Sequence, residues 1–177
     1  NWNNATFPNP GVATITVTAT NGGCVSTTSL QVASCCNGSP VNGNAPIVFT
    51  NATASQILLA LQATSLSNIN RQIVLNGVTI IDQNLTITNC QYIKMAPMAE
   101  IIVNPGKTLT ITNSRIAADA CPYMWKGIVL PDPSANISVS GSNIEDAYNA
   151  IWAKLNADVY VINSNFLNNQ TSLRFTD

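Results

Sequence analysis

The chain has 177 residues, 46% of them apolar, with seven Lys and Arg against eight Asp and Glu and no His. That content supports a buried core and excludes a disordered chain. The near-zero charge without a basic run excludes the footprint of a nucleic-acid or anionic-lipid partner, and no apolar stretch is long enough for membrane insertion by a helix.

Charged residues make up 8% of the chain, whereas Asn occurs 24 times and Ser and Thr together 32 times. The surface is therefore built from neutral hydrogen-bonding groups, which suits an exported β-protein. The chain starts at Asn1 without a basic, then apolar, leader, and it reads as a piece of a longer protein. Five cysteines (Cys24, Cys35, Cys36, Cys90, Cys121) show no metal-binding spacing, and without His the usual zinc sets are missing; no metal or cofactor is expected. Six Asn-x-Ser/Thr triplets, starting at Asn4, Asn37, Asn51, Asn84, Asn136 and Asn169, exceed little what this composition supplies by chance.

In chain order, GVATITVTATNGGCVSTTSLQV (residues 11 to 32) alternates apolar and polar positions around Asn21-Gly22-Gly23, a hairpin signal. FPNPGVATITVTATNGGCVSTTSLQV resembles the last two strands of a PKD-like, immunoglobulin-type domain; the resemblance implies the C-terminal part of such a β-sandwich over residues 1–34. CCNGSPVNGNAP, residues 35–46, is rich in Gly, Pro and Asn and is expected to be a linker. Thr53-Ala54-Ser55-Gln56 fits a capping box, and Ile57, Leu58 and Leu61 follow at helical spacing, so a short helix is expected over about residues 54 to 65.

From there the chain repeats itself. LTITNCQY (85 to 92) aligns with LTITNSRI (109 to 116), ISVSGSNI (137 to 144) and VYVINSNF (159 to 166). A second strand follows each copy, at Glu100, Gly127, Ala150 and Ser172. Short strands at near-constant spacing, with no helix between copies, predict a solenoid of stacked parallel coils over residues 47–177. An antiparallel sandwich is the rival, supported by the hairpin-like Asn76-Gly77.

Stacking makes columns. Leu85, Leu109, Ile137 and Val159 face inward, as do Ile87, Ile111, Val139 and Val161. Asn89, Asn113, Gly141 and Asn163 fall at one bend and have a structural role there, with Asn tolerating left-handed geometry and laddering with its neighbours. On the following strand Ile101, Ile128, Ile151 and Leu173 point in, which sends Ile102, Val129, Trp152 and Arg174 out. An outward Trp152, with Trp125 and Tyr148 on a column with Met98 and Gln170 at the preceding turn, marks a candidate contact or saccharide-binding surface.

Cys121-Pro-Tyr-Met-Trp-Lys-Gly-Ile128, Ser142-Asn-Ile-Glu-Asp-Ala147 and Asn163-Ser-Asn-Phe-Leu-Asn-Asn169 resemble right-handed parallel β-helix regions of the pectin-lyase-like superfamily, in particular those of large bacterial proteins that carry PKD-like domains and leave by the type IX secretion system. The resemblance implies an extracellular or cell-surface protein, often an adhesin or stalk, whose partners are other domains of the same protein or other surface and assembly proteins.

The fold carries both enzymes and inert scaffolds, so function rests on the residues. Of eight acids only Glu145 and Asp146 are adjacent, and neighbours in an extended segment face opposite ways. Triads that use His are excluded, and Cys90 and Cys121 lack a base. The expectation is an all-β chain, a right-handed parallel β-helix with a short N-terminal helix cap, preceded by a partial immunoglobulin-like hairpin. It would serve as a noncatalytic adhesin, stalk or scaffold, with no catalytic residue. A polysaccharide-binding or polysaccharide-degrading module is the alternative. Cys90 stands where other copies carry Ser114, Ser142 and Ser164, and a Cys90 to Cys121 disulfide between adjacent coils is expected.

Overall fold

The computed structural model describes residues 12–21, 24–33, 46–68, 72–120 and 123–177. The chain divides into two compact units, Asn1–Gly38 and Ser39–Asp177. In the first, β1 (Val12–Asn21) and β2 (Cys24–Ala33) pair antiparallel, with Asn21 opposite Cys24. Gly22, Gly23 and residues 34–45, which hold nearly all of the expected linker, lie outside the described residues.

The second unit is a parallel β-solenoid. It starts with β3 (Ile47–Thr50) and α1 (Ala54–Ala60). Coils of three strands follow: β4 (Leu66–Ser67), β5 (Ile73–Asn76) and β6 (Val78–Ile81); β7 (Leu85–Thr88), β8 (Ile93–Met95) and β9 (Glu100–Val103); β10 (Thr108–Thr112), β11 (Arg115–Ala118) and β12 (Trp125–Leu130). The last two are β13 (Asn136–Ser140), β14 (Asn143–Glu145) and β15 (Ala147–Lys154), then β16 (Asp158–Ile162), β17 (Asn165–Leu167) and β18 (Thr171–Thr176). Equivalent strands pair in parallel and form a first sheet β4-β7-β10-β13-β16, a second sheet β3-β5-β8-β11-β14-β17 and a third sheet β6-β9-β12-β15-β18. The second sheet, six strands long, counts the turns.

Period-two alternation decides which face is buried. Leu85, Leu109 and Ile137 are in register and buried, as are Ile87, Ile111 and Val139. The same holds for Ile101, Ile128 and Ile151 in the third sheet. These columns form one aliphatic core running along the coils. Gly77, in the hairpin-like Asn76-Gly77, instead makes the left-handed bend from β5 to β6, two strands that belong to different parallel sheets.

The capping box forms as expected: Gln56 N–H donates to Thr53 Oγ1, and Thr53 N–H donates to Gln56 Oε1. The helix ends at Ala60, short of the expected residue 65. Gln62 takes a left-handed φ of 50°, and the N–H groups of Ala63 and Gln62 turn back to Leu58 O and Leu59 O. That is a Schellman stop made without glycine. Ala54, Ile57 and Leu58 are buried in the core.

The turn from first to second sheet explains the repeated Asn-Ser pair. Asn89, Asn113, Gly141 and Asn163 have φ of 53°, 46°, 57° and 48°. The next position forms a ladder: Cys90 N–H donates to Ser114 Oγ (3.0 Å), Ser114 N–H to Ser142 Oγ (3.1 Å) and Ser142 N–H to Ser164 Oγ (3.2 Å). Each hydroxyl in turn donates within its own coil, to Thr112 O, Ser140 O and Ile162 O. The small polar side chain thus satisfies backbone donors that a turn would otherwise bury without partners.

Two alignments shift by one residue. Ile116 pairs with Ile93, so Ile93 takes the buried position and Tyr92 moves beside Arg115. Trp125 pairs with Ala147, which leaves Lys126 rather than Trp125 level with Tyr148. A slip of one residue turns a side chain to the other face of a strand. Register is restored by an irregularity after Gly127, whose φ is 122° and whose added β-carbon would lie 1.6 Å from Asn149 O.

Candidate binding groove on the third sheet

Ile102, Val129, Trp152 and Arg174 lie side by side on the outer face of the third sheet. An open groove of about 420 Å³ runs along this face, lined by Met98, Glu100, Lys126, Tyr148, Trp152 and Arg174 among others. Trp152 is 36% exposed and Tyr148 is 41% exposed, so both present aromatic surface. The Trp152 indole N–H donates to Thr176 Oγ1 at 3.0 Å, and the Arg174 guanidinium lies 5.1 Å from its ring centre. Lys126 reaches Glu100 at 3.5 Å, an exposed pair that contributes little to stability. The groove therefore offers an aromatic face, cations and neutral hydrogen-bonding groups, and no paired carboxylates.

Trp125 is elsewhere. It is fully buried, and its indole N–H donates to Glu145 O at 2.7 Å. Of the three aromatic residues singled out in the sequence, the groove brings together Trp152 and Tyr148.

A polar cluster lies along the second sheet. Arg115 grips Glu145 with two bonds, Nε to Oε1 at 2.9 Å and Nη2 to Oε2 at 2.7 Å. The guanidinium sits 4.5 Å from the Tyr92 ring centre, and Tyr92 donates its hydroxyl to Ala118 O at 2.7 Å. Lys94 pairs with Asp119 at 3.0 Å. Burial pushes the Tyr92 hydroxyl above its ordinary value, and the hydrogen bonds to Glu145 hold Arg115 more firmly protonated. Asp146 sits at a left-handed bend, φ 60°, and accepts a 3.4 Å bond from Asn168 Nδ2. Its burial raises the carboxyl above the ordinary carboxylate value despite that bond. Sequence reasoning missed this cluster because it set Tyr92 opposite Ile116. Allowing one extra residue in that copy would have put Tyr92 next to Arg115.

Among the described residues no three Cys, Asp or Glu side chains are arranged to hold a metal ion. Cys90 is buried, its thiol directed at Leu66 O (3.3 Å) and Thr88 O (3.5 Å), while Cys121 lies outside the described residues and with it the expected pairing. No family model matches the chain, and neither does any curated protein or solved structure.

Proposed function

We propose that the chain is a noncatalytic structural and interaction module of a secreted or cell-surface bacterial protein, acting as adhesin, stalk or assembly scaffold. The carrying observation is where the acids are engaged. Glu145 is held by Arg115 and Asp119 by Lys94. Asp82 accepts Ser55 N–H at the start of α1, and Asp132 accepts the N–H and hydroxyl of Ser134. Carboxylates committed in this way brace coils and turns, whereas glycoside hydrolysis needs two of them facing one scissile bond. The pectin-lyase-like motifs, the PKD-like hairpin and export by the type IX system belong to this proposal, as does a Cys90–Cys121 disulfide. Labelling of both thiols in the native, oxidised protein would remove the disulfide from it. Assays for polysaccharide lyase and hydrolase turnover test the noncatalytic role.

A second proposal is saccharide binding, favoured by the groove that holds Trp152 and Tyr148. An aromatic face flanked by amide and guanidinium groups suits the apolar face and hydroxyl rim of a sugar ring. A glycan array tests it: binding that Trp152→Ala abolishes supports this proposal, and a protein domain seated over Trp152 contradicts it.

A further inference from the structure

We infer that Asn76 is a site of spontaneous succinimide formation, at which the folded chain converts this asparagine to isoaspartate and aspartate. Asn76 is the last residue of β5 and is exposed, and Gly77 alone separates it from β6. The fold requires glycine there: φ is 68°, and an added β-carbon would lie 2.2 Å from Asn51 Oδ1. The Asn51 carboxamide is kept in that place by accepting Val78 N–H at 2.9 Å. Both carbonyls of the bend are engaged, Asn76 O by Asn51 N–H (3.0 Å) and Gly77 O by Glu100 N–H (2.9 Å). The Gly77 N–H is not, for it has no hydrogen-bond partner among the described residues. The nitrogen beside an exposed carboxamide is thus neither screened by a side chain nor held by a bond.

Other asparagines at bends are protected. Asn89 and Asn113 also turn left-handed between strands, but the N–H that follows each is committed to the turn ladder, Cys90 to Ser114 Oγ (3.0 Å) and Ser114 to Ser142 Oγ (3.1 Å). After Asn156 the Ala157 N–H donates to Lys154 O, and after Asn169 the Gln170 N–H donates to Ala147 O. Asparagine is a thermolabile residue, and at Asn76 its chemistry needs water alone. The Gly77 nitrogen loses its proton and bonds to Asn76 Cγ, and the side-chain nitrogen takes protons from solvent and leaves as ammonia. Water then opens the cyclic imide. Addition at Cγ gives aspartate, whereas addition at the main-chain carbonyl carbon leaves the chain running through Cγ and gives isoaspartate. The second product turns the carbonyl that Asn51 N–H uses into a free carboxylate and lengthens the step from β5 to β6 by one backbone carbon. The inference goes beyond the function proposed above and does not depend on it.

The protein and a peptide copying residues 73–80 are incubated side by side at neutral and mildly alkaline pH. Mass spectrometry that separates aspartate from isoaspartate follows Asn76, Asn89 and Asn113. Because the bend reacts without unfolding, conversion of Asn76 in the folded protein is expected within about tenfold of the peptide rate. It should yield isoaspartate together with aspartate and rise with pH as the attacking nitrogen loses its proton, while Asn89 and Asn113 stay intact. Asn76 that remains unconverted in the protein while the peptide reacts would overturn the proposal. Conversion no faster than at Asn113 would overturn it too, as would aspartate without isoaspartate, which marks direct hydrolysis.

Discussion

The Asn113 carboxamide fills the space that a side chain at Gly141 would need: a β-carbon added to Gly141 would lie 2.5 Å from Asn113 Oδ1. Both residues occupy the same left-handed bend in consecutive coils, and Asn113 Nδ2 donates to Asn89 Oδ1 at 3.4 Å in the coil before. Gly141 thus ends a short amide ladder that it could not share without displacing Asn113.

Gly141→Ala is expected to lower stability by about 1–2 kcal/mol, the left-handed penalty for a residue with a β-carbon, with an added share from the Asn113 contact. In an Asn113→Gly background the same change should cost less. Chemical denaturation of the four proteins in this cycle measures the difference, and equal losses in both backgrounds would show that the two side positions do not compete.

Thr79 faces the core beside Ile101, and its buried Oγ1 has no hydrogen-bond partner among the described residues. Thr79→Val keeps the shape and removes the unsatisfied hydroxyl. A gain of about 1 kcal/mol in unfolding free energy is expected. A loss of stability in urea denaturation would mean that the hydroxyl has a partner after all.

The pH response of Asp146 has a definite sign. Burial raises its carboxyl in the folded chain, so the folded form holds the proton more tightly than the unfolded form does. Stability therefore falls as pH rises from the ordinary carboxylate value through the raised one, and is level above it. Asp146→Asn removes this dependence, keeps an acceptor for Asn168, and tolerates the left-handed bend. The variant should melt above the parent at neutral pH and lose that advantage in acid. An advantage that grows in acid would reverse the assignment.

Much of the solenoid is legible in the sequence because stacking imposes the same demand at the same place in every coil. LTITN returns since Leu and Ile must face in and Asn must bend left, and the two copies pair residue for residue. The groove was legible in part: Trp152 is out because Ile151 beside it is in. Trp125 was not, because the irregularity after Gly127 offsets it by one residue from its column and turns it to the buried face. The Arg115–Glu145 pair joins residues 30 apart across adjacent coils whose alignment already set Ile116 opposite Ile144, but Arg115 reaches diagonally past its partner Asn143 to Glu145, a contact that reading straight columns does not give. The helix end was also hidden, since its left-handed residue is Gln62 where glycine would have announced it.

Glu145 and Asp119 are held by Arg115 and Lys94, and turnover of polysaccharides tests most directly whether the acids of this chain act on a substrate instead. The chain is incubated with uronate polymers and neutral glycans, following absorbance of the unsaturated lyase product and release of reducing ends. No turnover above buffer is expected, with Glu145→Gln weakening the Arg115 pairing and lowering stability alone. Sustained turnover that Glu145→Gln or Asp146→Asn abolishes in a still-folded protein would contradict it.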